Sequence, residues 1–90
     1  MDTTLEWDEN KRQKTLDERG LDFAYLINFD WDNAIVFDDD RFDYGEHRQA
    51  ALGFLDNRLV AIAFTIRGHN VRVISLRKAN DRERKVYDSF

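Results

Sequence analysis

Residues 46–79 read EHRQAALGFLDNRLVAIAFTIRGHNVRVISLRKA, and the phase of that stretch decides the architecture. Three β-strands are legible in it, over 46–55, 58–67 and 70–79, separated by Asp56-Asn57 and Gly68-His69. Both connections are short enough for tight hairpins, so successive strands are expected to pair antiparallel as a meander. The middle strand is apolar on both faces from Leu59 to Ile66. It therefore belongs at the centre of the sheet, with something covering each side. In the third strand, side chains alternate between faces. Strict alternation puts Val71, Val73, Ser75 and Arg77 on one face and Arg72, Ile74 and Leu76 on the other, so Arg72 and Arg77 are expected on opposite sides.

Upstream, residues 34–40 (AIVFDDD) read as a further strand because of Ile35 and Val36 and the acidic stop, with a turn at Trp31–Asn33 before it. Phe23, Leu26 and Ile27 recur at i, i+3 and i+4 after the candidate cap Asp22, the pattern of a short helix buried on one side, and Tyr25 and Phe29 widen its stripe. An earlier helix opens at Asp8 and stops at Gly20, polar except for Leu16 over most of its length; Leu5–Trp7 before it suits a short strand. At the other end Asn80 caps a helix with Glu83 at the third position, an Asn version of the capping box. Val86 and Phe90, four apart, are expected to dock that helix on the sheet, with Tyr87 beside them. The sum is an α+β fold in a single domain over 1–90: two N-terminal helices, a four-stranded mostly antiparallel sheet and a C-terminal helix.

The chain has no cysteine, so disulfide scaffolds and thiolate metal sites are excluded. No basic start followed by an apolar run opens it, and no run of apolar residues is long enough for a membrane helix. A soluble, cytoplasmic protein without membrane contact is the expectation. The net charge is −4, with 18 acidic residues against 14 Lys and Arg, but the distribution is uneven. Acidic residues dominate between Leu21 and Glu46, whereas basic ones crowd the stretch from Arg67 to Lys85. Local field matters more than the total for a charged ligand.

His47 and His69 fall on different segments without a ligand spacing, and no glycine-rich phosphate loop or hydrolase elbow is present, so neither metal nor cofactor is expected. What remains is a cationic set with one carboxylate and one phenol. It comprises Arg48, Arg72, Arg77, Lys78, Arg82, Glu83 and Tyr87, with Lys11 and Lys14 from the first helix. Guanidinium groups grip phosphate bidentately and stabilise a pentacoordinate phosphorane, as metal-free RNA cleavage through the ribose 2′-OH requires. That reaction also needs a base and an acid, roles open to Glu83, Tyr87, a histidine or a lysine. The same residues equally suit a structural reading, with Arg77 paired to Glu83, Tyr87 in the core and the rest a solvated helix face.

The chain resembles the BrnT toxins of type II toxin-antitoxin systems in three pieces: EWDENKRQKTLDERGLDF at 6–23, RFDYGEHRQAALGFLDNRLVAIAFTIRG at 41–68 and RVISLRKANDRERKVY at 72–87. The resemblance implies a compact RelE-like ribonuclease fold, metal-independent RNA cleavage that arrests translation, and neutralisation by a BrnA-type antitoxin. Such an antitoxin carries a ribbon-helix-helix part, so contact with DNA is expected only through it. Carried over by position, Arg72, Ser75 and Arg77 fall on the family's Arg-x-Ile-Ser-x-Arg signature, Glu83 and Tyr87 on the terminal helix, and Arg48 on the basic residue after Tyr-Gly-Glu. Arg48, Arg72, Arg77, Glu83 and Tyr87 are thereby the expected catalytic residues, and Lys11, Lys14, Lys78 and Arg82 the expected RNA-binding ones. The family's Lys-His before the first glycine is replaced by Glu18 and Arg19. That departure keeps open a second reading, a non-catalytic member that binds antitoxin or RNA without cutting. Aromatics in or beside the acidic stretch, Trp31, Phe42 and Tyr44, are expected to anchor the antitoxin.

Overall fold

A computed structural model describes residues 4–40 and 45–90. The hairpin reading of residues 46–79 holds, and the strands are β3 (Arg48–Leu55), β4 (Arg58–Arg67) and β5 (Asn70–Lys78). Asp56, with φ of 55°, and Gly68, with φ of 61°, supply the left-handed backbone of the two connecting turns. Tight hairpin turns need such positive φ values. The expected upstream strand is present as β2 (Ile35–Asp39) and adds antiparallel to β3. The sheet nevertheless has five strands: β1 (Thr4–Trp7) lies parallel to β5, giving the order β1-β5-β4-β3-β2. Leu5 and Trp7 pack against the core beside Val71 and Val73, which is why so short a segment holds as an edge.

α1 (Glu9–Arg19) has the expected ends, since Asp8 accepts from the backbone N–H of Asn10 and Lys11 and Gly20 closes the helix at φ 68°. A side-chain acceptor at the start and a left-handed glycine at the end satisfy backbone groups that the helix itself leaves unpaired. None of its residues is buried. The second expected helix is a different structure, a 3₁₀ segment over Phe23–Asn28. Three residues per turn place i and i+3 on one side. Phe23 and Leu26 are accordingly buried, while Ile27 is turned out to 80% exposure and Tyr25 to 51%. Phe29 returns to the core and bridges to Leu55.

These segments cover one face of the sheet. Leu21, Phe23, Leu26 and Phe29 pack on Val60, Ile62, Phe64, Val71, Val73 and Leu76. Gly53 permits the contact, because a Cβ there would sit 2.6 Å from the Phe29 ring. Trp31, expected to anchor the antitoxin, is half-buried and packs edge-on against Phe29 and Phe64 at centroid distances of 4.8 and 5.4 Å. The other expected anchors, Phe42 and Tyr44, lie outside the described residues.

The second face is covered by α2 (Asp81–Asp88), whose capping box between Asn80 and Glu83 is present as read from the sequence. Its docking residue is Tyr87, which stacks edge-on against Phe54 at 5.5 Å and donates to the Asn33 carbonyl at 3.1 Å. Val86 and Phe90 do not dock; they are 43% and 88% exposed. No described helix is long and apolar enough to cross a membrane.

The decisive irregularity lies between β4 and β5. Phe64 pairs with Val73 but Ala63 pairs with Ser75, so Ile74 is an extra residue in a β-bulge. The extra residue resets the alternation, and Leu76 joins Val71 and Val73 on the core face. Ser75 and Arg77 pass to the face of Arg72, opposite to the expectation from strict alternation.

Candidate functional site

Residues paired across strands share a face, so the second face can be read in rows. One row is Ile35, Leu52, Ala61 and Arg77, and the next is Phe37, Ala50, Ala63 and Ser75. A third has Asp39 opposite Arg48 on β2 and β3, and Thr65, Arg72 and Glu6 across β4, β5 and β1. The alanines leave a trough of ≈270 Å³, floored by Ala50, Ala61 and Ala63 and bordered by Phe37, Arg77 and Glu83. The partners of Arg72 and Arg77 on β4, Thr65 and Ala61, are four residues apart. At the usual rise per strand residue, the two arginines therefore stand about 13 Å apart along one face.

Each arginine of this face lies against a glutamate. Arg77 forms a two-pronged pair with Glu83, Nη1 to Oε1 at 2.7 Å and Nη2 to Oε2 at 2.8 Å. Glu83 also accepts from the Asn80 backbone N–H at 2.9 Å, so one carboxylate caps α2 and orients the guanidinium. The Arg77 hydrogen bonds, and after them the Asn80 N–H, hold the Glu83 carboxyl below its ordinary value against the opposing effect of burial. Arg72 approaches Glu6 at 3.7 Å and Arg48 approaches Glu46 at 3.5 Å, longer and looser contacts. Glu6 also accepts from the Asn70 amide, and Glu46 is shared with Arg67. Anionic oxygens of a ligand can compete for such guanidinium groups, least easily at Arg77.

The model of the ribonuclease toxin BrnT of type II toxin-antitoxin systems matches residues 7–83. The chain belongs to the BrnT family. The fold also superposes on the 1.1 Å crystal structure of the Brucella abortus ribonuclease toxin BrnT with a TM-score of 0.72, at 32% identity, over 89% of this chain and 100% of that one. No curated protein matches the chain significantly.

Of the site residues carried over from BrnT toxins, the fold collects Arg48, Arg72, Arg77 and Glu83 on one face. Tyr87 follows Glu83 by one helical turn, beyond the span of the family match, with its hydroxyl on Asn33. Arg82 is exposed in the first turn of α2, and Lys78 is exposed at the end of β5. Lys11 and Lys14 lie on α1, where no residue is buried, and neither borders the trough. Arg19, set by the resemblance against the family's histidine, donates from Nη1 to the Leu76 carbonyl at 2.9 Å and fastens α1 to β5. Among the described residues no three His, Asp or Glu side chains converge as a metal site would need. His47 lies 3.1 Å from Asp38 at the β2 edge. Sequence reasoning missed Phe37 and the alanine floor. Their signal was the small residues at 50, 61 and 63, which come into one patch only once the strands are in register.

Proposed function

We propose that this BrnT-family chain is the toxin of a type II toxin-antitoxin pair, a metal-independent endoribonuclease working on the second face of the sheet. The observation that carries the reading is the single-faced array of Arg48, Arg72 and Arg77 around a trough bordered by Glu83. Arginines spaced along a strand suit separate phosphates of one nucleic acid strand, and a preorganised guanidinium stabilises charge as it develops on the reacting phosphate. In this reading the ribose 2′-oxygen attacks the adjacent phosphorus while Glu83 takes its proton. The bond to the 5′-oxygen breaks, that oxygen leaves with a proton from Tyr87, whose hydroxyl must first leave the Asn33 carbonyl, and the products are a 2′,3′-cyclic phosphate and a 5′-hydroxyl. Arg77 neutralises the phosphorane, and Arg72 and Arg48 hold flanking phosphates. The Glu83 carboxyl, held below its ordinary value, is ionised at neutral pH, the form in which a base must start. Arg82 extends the basic rim for RNA, whereas Lys78, paired with the core residue Val60, and Lys11 and Lys14 would meet a longer strand only beyond the trough.

Cleavage of cellular RNA would arrest translation, and the kinship with RelE-like ribonucleases and a cytoplasmic site of action belong to the same reading. So does a BrnA-like ribbon-helix-helix antitoxin as partner, with DNA reached only through it. Purified protein incubated with RNA in the presence of a chelator tests the reaction. Wild type is expected to leave 2′,3′-cyclic phosphate ends, 2′-O-methyl RNA to stay whole, and Arg77→Ala to be about 10²–10³-fold slower. Folded wild type that leaves RNA intact, and whose induced expression does not slow bacterial growth, overturns the reading.

A further inference from the structure

We infer that the alanine trough is a nucleobase subsite in which one unpaired base of the RNA stacks on Phe37; this rests on the ribonuclease reading of the same face. Phe37 lies on β2, an edge strand of the sheet, and remains 46% exposed although it borders the trough. Core packing does not explain a phenylalanine there, because its row continues into Ala50, Ala63 and Ser75 rather than into other large side chains. Three neighbouring positions carry only a methyl group, Ala50 and Ala63 in the row and Ala61 beside it, so among the described residues the ring has a flat floor next to it. The space measures ≈270 Å³. That falls just below the usual range of ligand-sized cavities, in keeping with one base and not with a helix or strand.

The surroundings choose between classes of occupant. Arg77 lines the trough together with Asp38, Asp39 and Glu83, and the row of Arg48 and Arg72 lies four strand residues away on the same face. A nucleic acid strand meets the arginines with phosphates and brings its bases to the trough between, where aromatic stacking is independent of base identity. The Ser75 hydroxyl closes the trough at the β5 end as a donor and acceptor for a base edge. A base inside a duplex cannot reach Phe37, so the subsite makes single-stranded RNA the substrate class.

The test measures binding of a short 2′-O-methyl RNA strand, which cannot be cut, to wild type, Phe37→Ala, Phe37→Leu and Phe37→Trp, each first shown folded by circular dichroism. Phe37→Ala and Phe37→Leu are expected to weaken binding about 5- to 150-fold, and Phe37→Trp to preserve it. An abasic residue moved along the strand is expected to weaken wild-type binding at one position by a similar factor and to have no further effect on Phe37→Ala. Annealing the strand to its complement is expected to remove the dependence on Phe37. If Phe37→Ala binds and cuts like wild type, or if every abasic strand binds like the parent, the subsite is overturned while the ribonuclease reading stands. A wild type that neither binds nor cuts RNA overturns both.

Discussion

Glu83 joins the cap of α2 to the orientation of Arg77, so its removal has a cost that can be worked out contact by contact. The carboxylate receives two hydrogen bonds from Arg77 and one from the Asn80 backbone N–H. The Arg77 side chain is 44% exposed. Solvent screening therefore limits the ion pair to about 0.5–1 kcal/mol. The returning arm of the capping box adds about 0.5–1 kcal/mol. A negative charge in the first turn of a helix adds about 0.3–1 kcal/mol. The three contributions share one carboxylate and do not simply add, so Glu83→Ala is expected to cost about 2 kcal/mol. Glu83→Gln retains an acceptor for Asn80 and is expected to cost about 1 kcal/mol. In a domain of this size about 1 kcal/mol moves Tm by about 4–8 °C, so calorimetry should place the Ala variant about 8–16 °C and the Gln variant about 4–8 °C below wild type.

Acid gives a second reading of the same contacts. Arg77 and the Asn80 N–H hold the folded-state value of Glu83 below its ordinary one. The unfolded chain therefore takes up the proton first as pH falls. The stabilisation is full above the unfolded value and is lost as pH falls through the depressed folded value. The difference between wild type and Glu83→Gln should therefore narrow in acid. A difference that stays constant from about pH 7 to about pH 3 refutes the reasoning, as does a Glu83→Ala variant melting within about 2 °C of wild type.

Three further perturbations address the fold that carries the site. The 3₁₀ turn buries Phe23 and exposes Ile27. In urea melts Phe23→Ala is accordingly expected to cost about 3–5 kcal/mol and Ile27→Ala at most about 0.5 kcal/mol; equal costs would restore an α-helical stripe. Gly53→Ala drives a Cβ into the Phe29 ring. Its expected cost by the same measure is about 1–3 kcal/mol, whereas unchanged stability would mean that Phe29 does not pack there. Deletion of Ile74 removes the bulge while leaving Ser75 opposite Ala63. The domain should still fold, with Arg77 on the face of Arg72 and a loss of about 1–2 kcal/mol. A crystal structure of that variant with Arg77 on the core face would refute the register.

The elements that rest on local chemistry were legible in the residues themselves. Asp8 and Gly20 bound α1, Asn80 and Glu83 start α2, and short turns join β3, β4 and β5. Caps and hairpins are decided by neighbours within a few positions, which is why they can be read locally. The doubly apolar β4 likewise announced its place at the centre. Where several short-range solutions compete, tertiary contacts chose: the pattern at Phe23, Leu26 and Ile27 fits both helix types, and packing under the sheet selected the 3₁₀ one. β1 was readable as a strand, but its parallel place beside β5 depends on residues far along the chain, Thr4 pairing with Asn70 and Trp7 with Val73.

The site shows the same division at finer scale. Sequence alone placed arginines at 48, 72 and 77 and a carboxylate at 83, and so defined a chemistry of anion recognition. It also put Arg72 and Arg77 on opposite faces, since period-two counting assumes that every residue has a partner. Only the pairing of β5 with β4 reveals that Ile74 has none, and that one unpaired residue turns Arg77 from the core side to the side of Arg72. A bulge is a property of two strands fitted together, invisible in the spacing of either one, and it is what makes three arginines into a single surface.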